Sequence, residues 1–147
     1  MENKWNKKFI ELSEYISNWS KDKSTKVCAI IATYDNRVLS VGYNGFPTGC
    51  NDNIEERYQR PLKYMWTEHA ERNAIYNAVR NGININNSIM YIKWFPCSDC
   101  ARAIIQSGIK KLVCGEPNFN DERWGEHFKV AYEMLIECDI ILEYYKE

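Results

Sequence analysis

The segments Ser88–Trp94 (SIMYIKW), Pro96–Gly108 (PCSDCARAIIQSG) and Lys111–Gly115 (KLVCG) decide the fold of this chain. Ser88 to Trp94 alternates toward a strand. Pro96 opens a helix through Ser107 and Gly108 closes it, since proline suits a first helical turn and glycine a C-terminal cap. Lys111 to Gly115 is a second short strand. Phe119 to Cys138 then contains a helix bearing Phe128, Ala131, Tyr132, Leu135 and Ile136, and Ile140–Leu142 closes the chain as a third strand. Strands separated by helices favour parallel neighbours in one sheet.

Upstream, Val27–Ala32 (VCAIIA) suits a buried strand, and a turn at Asp35-Asn36 leads into a second one, Arg37 to Tyr43, as an antiparallel hairpin. Trp5, Phe9, Leu12, Ile16 and Trp19 recur at steps of four and three, which predicts an amphipathic first helix. Glu68 to Asn81 also reads as helix, with Ala70, Ala74, Ile75, Ala78 and Val79 on one face and Gly82 as its stop. Between hairpin and helix, Asn44 to about Thr67 has little periodicity; so long an irregular stretch is usually functional or hides a short helix. The order α-β-β-α-β-α-β-α-β gives an α/β fold, a mixed five-stranded sheet flanked by helices, as one domain over residues 1–147.

Composition narrows the function. The 147 residues carry 19 Lys+Arg against 20 Asp+Glu, a net charge of -1, which argues against the broad basic surface of a nucleic-acid binder. No run approaches the length of a membrane span, and the polar start is unlike a signal peptide, so a cytoplasmic protein with no membrane partner is expected. In a reducing compartment the six cysteines are core residues, metal ligands or reactive thiols rather than a disulfide framework.

Two fragments carry chemistry: His69-Ala70-Glu71 and Pro96-Cys97-Ser98-Asp99-Cys100. Both fall at expected helix starts, where free N–H groups and the dipole favour thiolates and anionic ligands. Cys97 and Cys100 are three apart, so on a first helical turn both sulfurs can face one point. With a distant His69 they make a Zn²⁺ ligand set, and three ligands leave the open position that marks a catalytic zinc. His127, the other histidine, has no Cys-x-x-Cys partner nearby. Glu71, two residues past His69, flanks the metal as a proton shuttle. A structural or redox Cys pair is the bland alternative, and a non-catalytic zinc-stabilised interaction module the alternative of another class; the retained Glu71 and the three-ligand count speak against both.

From about Ser20 to Val113 the chain resembles the deoxycytidylate (dCMP) deaminase family of the cytidine deaminase superfamily. The resemblance rests on Gly42-Tyr43-Asn44-Gly45-Phe46-Pro47-Thr48-Gly49-Cys50, on His69-Ala70-Glu71 with Asn73-Ala74-Ile75, on Phe95-Pro96-Cys97-Ser98-Asp99-Cys100-Ala101 and on Ile104–Ile109. It implies a three-layer cytidine-deaminase-like fold and hydrolytic, zinc-dependent conversion of dCMP to dUMP with release of ammonia. In that chemistry zinc-bound hydroxide attacks C4 of cytosine while Glu71 shuttles protons, and the Ala70 N–H holds the cytosine carbonyl. It also implies a homo-oligomer, often a hexamer, with dCTP and dTTP as effectors bound in part by Gly42, Tyr43, Asn44 and Gly45. Two departures stand out: Val27-Cys28-Ala29 replaces the family's common Val-Gly-Ala, and the tail around Trp124 and beyond Glu126 is not a close match. One zinc per chain is expected, because no spare histidine sits near Cys50.

The same resemblance makes Asn44 a contact to the substrate sugar or phosphate, against a simple turn-former in Asn-Gly. Lys26, ahead of the first strand, is a candidate to offset phosphate charge. Arg57, Arg60 and Lys63 in the long loop are further candidates, weighed against a solvated charged loop. Tyr64 or Trp66 is a candidate base-stacking residue, Phe95 reads as core, and Ser98 and Asp99 read as helix caps. Deamination of a cytosine or adenine within a nucleic acid is the competing function, since it uses the same motif.

Overall fold

The computed structural model describes residues 3–147. Helix α1 (Lys4–Ser17) leads to β1 (Cys28–Ala32) and β2 (Val38–Tyr43). A 3-10 turn (Glu55–Tyr58) and the short α2 (Lys63–Trp66) precede α3 (Ala70–Arg80). Then come β3 (Ile89–Ile92), α4 (Ser98–Gln106), β4 (Lys111–Cys114), α5 (Gly125–Glu137) and β5 (Ile141–Tyr144). The five strands form one mixed sheet in the order β2-β1-β3-β4-β5. β1 is antiparallel to both neighbours, while β3, β4 and β5 run parallel, as the two helical crossovers require.

The alternation of side chains along the strands divides the core into two layers. Ala29, Ile31, Met90, Ile92, Leu112 and Cys114 point to the face covered by α3, α4 and α5. Cys28, Ile30, Ala32, Ile89, Tyr91 and Val113 point to the other, against Phe9, Ile10 and Ile16 of α1. Every residue of β1 and β3 is buried, as expected of strands covered on both faces. The α/β three-layer architecture is therefore the one expected from the sequence.

The face of α1 differs from expectation. Asn6, Phe9, Ile10, Ser13 and Ile16 are buried, whereas Leu12 and Trp19 are exposed. The helix ends at Ser17, so Trp19 is off it, and Asn6 turns inward because its Nδ2 donates to Glu143 Oε1 on β5 (2.6 Å). Ser13 satisfies its hydroxyl on the Ile10 carbonyl (2.7 Å). In α5, Ala131 and Leu135 are buried while Tyr132 and Ile136 are exposed, and the helix occupies Gly125–Glu137 of the Phe119–Cys138 stretch. The Asp35-Asn36 turn forms, with Asn36 at φ 69°. Gly82 and Gly108 end α3 and α4 at φ 65° and 85°, the left-handed conformation glycine adopts without a Cβ penalty. The irregular stretch after β2 does hide a short helix, α2.

Candidate active site

Strand directions place the chemistry at one end of the sheet. Because β1 is antiparallel to β2 and β3, Cys28 lies opposite Tyr43 and Ala29 opposite Ile92. The chain entering β1 (Thr25–Val27), the chain leaving β2 (Asn44), the chain leaving β3 (Phe95–Cys97) and the chain leaving β4 (Glu116) therefore meet. The carboxyl ends of parallel strands are where open α/β sheets bind ligands. A cavity of about 470 Å³ opens there.

On its floor, His69 stands at the N-cap of α3 and Cys97 at the N-cap of α4, both with extended backbone, and Cys100 follows in the first turn of α4. His69 Nδ1 lies 3.5 Å from Cys97 Sγ and 3.4 Å from Cys100 Sγ. All three donor atoms lie within 4.8 Å of one another. With metal bonds of about 2.1 Å to nitrogen and 2.3 Å to sulfur, tetrahedral Zn²⁺ places such atoms about 3.6 Å apart, so the triad fits the ion. The hydrogen bond from Cys100 pulls the Cys97 thiol down to about 4, and His69 pulls it the same way against burial. The Cys97 thiolate in turn raises His69. Cysteine sulfurs bind metal as thiolates, so a thiol lowered in this way suits a metal ligand.

Glu71 sits in the first turn of α3 and is buried, and burial pushes its carboxyl above the ordinary range, with His69 opposing. Ala70, the first residue of α3, lines the same cavity, and its N–H has no partner inside the helix. Two residues expected to act as caps do something else. Ser98 Oγ bonds His127 Nδ1 (2.8 Å), and Asp99 takes Arg102 and Arg72.

The candidate substrate contacts separate. Asn44 lines the cavity, but its side chain also clamps the chain entering β1: Oδ1 accepts from the Val27 N–H and Nδ2 donates to the Thr25 carbonyl, both at 2.9 Å. Lys26 is exposed and does not line the cavity, whereas its neighbours Thr25 and Val27 do. Arg60 and Lys63 line the cavity. Arg57 instead lies over the Trp66 ring (3.8 Å) and donates to the Asn51 carbonyl (2.9 Å). Phe95 packs edge-on against Phe128, as core. Tyr43, Asn44 and Gly45 border a second, smaller cavity of about 230 Å³, whereas Gly42 is a packing residue: a Cβ there would lie 2.1 Å from the Ala74 nitrogen of α3.

Asp22 and Arg123 are cavity residues that escaped the sequence, and Lys63, a candidate phosphate contact there, turns out to be paired with a carboxylate. Asp22 and Lys63 form a buried ion pair (3.0 Å) across 41 positions, and both line the cavity. Asp22 Oδ1 also accepts the N–H groups of Ser24 (2.9 Å) and Thr25 (3.0 Å), a local turn that Asp-x-Ser-Thr could have signalled; the lysine partner could not have been read. Arg123 and Trp124 form the far wall, with Trp124 edge-on to His69 (5.9 Å) and to Tyr64 (6.2 Å). No helix among the described residues is long and apolar enough to cross a membrane.

Known proteins share this arrangement. The family model described as the cytidine and deoxycytidylate deaminase zinc-binding region matches residues 3–116. The chain is 40% identical over 141 residues to a protein described as an uncharacterized deaminase in the luxG 3′ region of Aliivibrio fischeri, covering 95% of this chain and 92% of that one. It is 33% identical over 135 residues to the deoxycytidylate deaminase of Homo sapiens, covering 88% and 75%. The crystal structure of the dCMP deaminase from cyanophage S-TIM5 in apo form superposes with a TM-score of 0.77 at 25% identity, over 99% of this chain and 100% of that one. Donor set and family model agree on Zn²⁺ as the metal of the site. With its fold, its His-Cys-Cys triad and most of its length accounted for in this way, the chain belongs to the cytidine and deoxycytidylate deaminase family.

Proposed function

We propose that this protein hydrolyses dCMP to dUMP and ammonia as a single deaminase domain over residues 1–147. The observation that carries the proposal is the buried Glu71 carboxyl beside the His69–Cys97–Cys100 triad on the floor of a cavity sized for a small molecule. The relatives that bear the name deoxycytidylate deaminase support the choice of substrate. His69, Cys97 and Cys100 are the zinc ligands of the proposal, and Zn²⁺ held by them supplies Lewis acidity that brings the pKa of water toward neutrality.

The rest is done by the chain. Glu71 accepts a proton from the attacking water and delivers it to N3 of cytosine as the new C4–O bond forms. It then takes the proton of the new C4 hydroxyl and passes it to the C4 amino group, so that the C4–N bond breaks with ammonia as the leaving group and a carbonyl remains at C4. A carboxyl raised by burial holds and releases that proton near neutral pH more readily than an ordinary one. The Ala70 N–H holds the cytosine carbonyl. Asn44 positions the sugar with the one amide hydrogen that its clamp leaves over, while Lys26, outside the cavity, has no part in the site.

The proposal extends to the second cavity beside Tyr43, Asn44 and Gly45 as the place where dCTP or dTTP acts, and to a cytoplasmic homo-oligomer, a hexamer by preference. The cavities share Asp22, Asn44 and Thr67, which supports coupling between them.

Ammonia release from dCMP, measured for wild type and Glu71→Gln, is the test. Wild-type turnover with a loss of about 10²–10⁴-fold in the variant, zinc content unchanged, is the expected result. Activity on cytosine- or adenine-containing oligonucleotides with none on dCMP overturns it.

A further inference from the structure

Several cations lie near the cavity, and the structure divides them into those already committed and those still available. Of the basic residues lining it, Lys63 is bonded to Asp22, and the pair is buried on both sides (9% and 4% side-chain exposure). Arg57 is held over Trp66 and on the Asn51 carbonyl, and Lys26 lies off the cavity. Arg60 and Arg123 line the cavity, and among the described residues neither has a carboxylate within ion-pair distance.

Their placement is as telling as their freedom. Arg60 stands three residues before α2 and Arg123 two residues before α5, so they belong to two separate rims of one mouth. The rims touch through Tyr64 of α2 and Trp124, ring centroids 6.2 Å apart. Both arginines are solvent-exposed, whereas Glu71 and Cys97, which line the same cavity, are buried. A ligand whose base reaches the buried end must carry its charged group to the rim. Of the acidic residues lining the cavity, Asp22 is bonded to Lys63, Glu71 is buried, and Asp121, which feels Arg123 without pairing with it, turns Oδ1 onto the N–H groups of Arg123 (2.9 Å) and Trp124 (2.7 Å), so that Glu116 is the fourth.

The geometry points to Arg60 and Arg123 as a two-sided clasp for the 5′-phosphate of the substrate, setting the preference for nucleotide over nucleoside. The assignment rests on the deaminase function proposed above. Guanidinium groups match phosphate oxygens bidentately, and two of them match a dianion. Arg123 lies beyond residue 116, where the family model's match ends, so this half of the clasp is a feature of this chain outside the family's zinc-binding region.

The experiment compares Arg60→Gln, Arg123→Gln, the double variant and Arg57→Gln as a control. Each is assayed for kcat/KM with dCMP and with deoxycytidine, and for dCMP binding by titration calorimetry. The expected result is a fall in the dCMP-to-deoxycytidine preference of about ten- to a hundredfold per arginine, carried mainly by KM, with partial recovery in Arg60→Lys and Arg123→Lys. Arg57→Gln leaves the preference intact. A parallel fall for both substrates, or an unchanged preference, overturns the clasp. Wild-type protein that binds dCMP through both arginines but releases no ammonia overturns deamination and supports the clasp, whereas failure to bind dCMP overturns both.

Discussion

Replacing Asp22 by Asn is the most informative single perturbation of this structure. Asp22 is 4% exposed and receives four contacts: the N–H groups of Ser24 and Thr25 and Lys63 Nζ on Oδ1, and Lys63 Nζ again on Oδ2 at 3.0 Å. Asparagine keeps the shape and one oxygen for the two N–H groups, so the local turn survives. The change removes the charge that compensates the buried Lys63 ammonium. Breaking a buried pair on one side costs about 3–5 kcal/mol, a large share of the roughly 5–15 kcal/mol that holds a domain together. With a urea slope of about 2 kcal/mol/M the unfolding midpoint falls by about 2 M. Removing both charges with Asp22→Asn/Lys63→Met recovers much of the loss, since no uncompensated charge remains. Acid titration supplies a second reading. Burial acts to raise the Asp22 carboxyl, but the Thr25 N–H, Lys63 and the Ser24 N–H together hold it below its usual value. A depressed carboxylate contributes stability that is fully present above its unfolded pKa of about 3.9 and is lost as pH falls through the lower folded value. Stability of the wild type therefore drops more steeply below pH 4 than that of Asp22→Asn. Equal acid slopes, or a single-variant loss below about 1 kcal/mol, refute the assignment of this pair as a buried staple.

Three further outcomes are expected. Gly42→Ala forces a Cβ to within 2.1 Å of the Ala74 nitrogen, so α3 must move off β2; a loss of about 3 kcal/mol or more in denaturant unfolding, with reduced zinc content because His69 rides on α3, checks it. Cys100→Ser removes one of three ligands at a site the structure builds once among the described residues, so metal analysis should fall from one zinc per chain to well below one, and chelator should inactivate the wild type. Asp139→Gly relieves a non-glycine residue at φ 56° after α5 and should raise stability by about 0.5–1 kcal/mol in thermal unfolding.

How much was legible in the sequence follows from the kind of interaction each element depends on. The β3-α4-β4-α5-β5 succession was readable because period-2 and period-3.6 patterns are local, and Pro96, Gly82 and Gly108 punctuate them. The zinc triad was readable because three-residue spacing on a helix and a helix-start histidine are likewise local facts. The inward face of α1 was not: Asn6 and Ser13 are polar, and only a partner on β5 and a carbonyl one turn back make their burial tolerable. Ser98 and Asp99 look like caps in isolation, and they are diverted by His127 and Arg72, which come from other helices. Lys26 and Lys63 show the same limit from opposite sides. Each is a lysine in a charged stretch, yet one stays exposed outside the cavity and a distant aspartate draws the other in.

Under the proposed function, these differences sort the molecule into a part that does chemistry and a part that chooses the substrate. Metal ligands and Glu71 stand at the starts of α3 and α4, and α3 is fixed against β2 by Gly42, by Ser40 Oγ donating to the Ala74 carbonyl (2.6 Å), and by Asn73 and Asn77 donating to the carbonyls of Tyr43 and Val41. Such a floor holds reacting atoms to the tolerance catalysis needs and leaves little room for variation. The walls are irregular segments: residues 22–27, 44–67 and 116–124, joined by the Asp22–Lys63 pair, the Asn44 clamp and the Tyr64–Trp124 contact. Loops on a rigid scaffold change without disturbing it, and the wall that carries Arg123 and Trp124 lies outside the family's matched region. Substrate choice in this protein should therefore follow the walls, so that exchanging residues 116–124 for another relative's segment alters the preference among nucleotides and nucleosides while zinc stoichiometry stays the same.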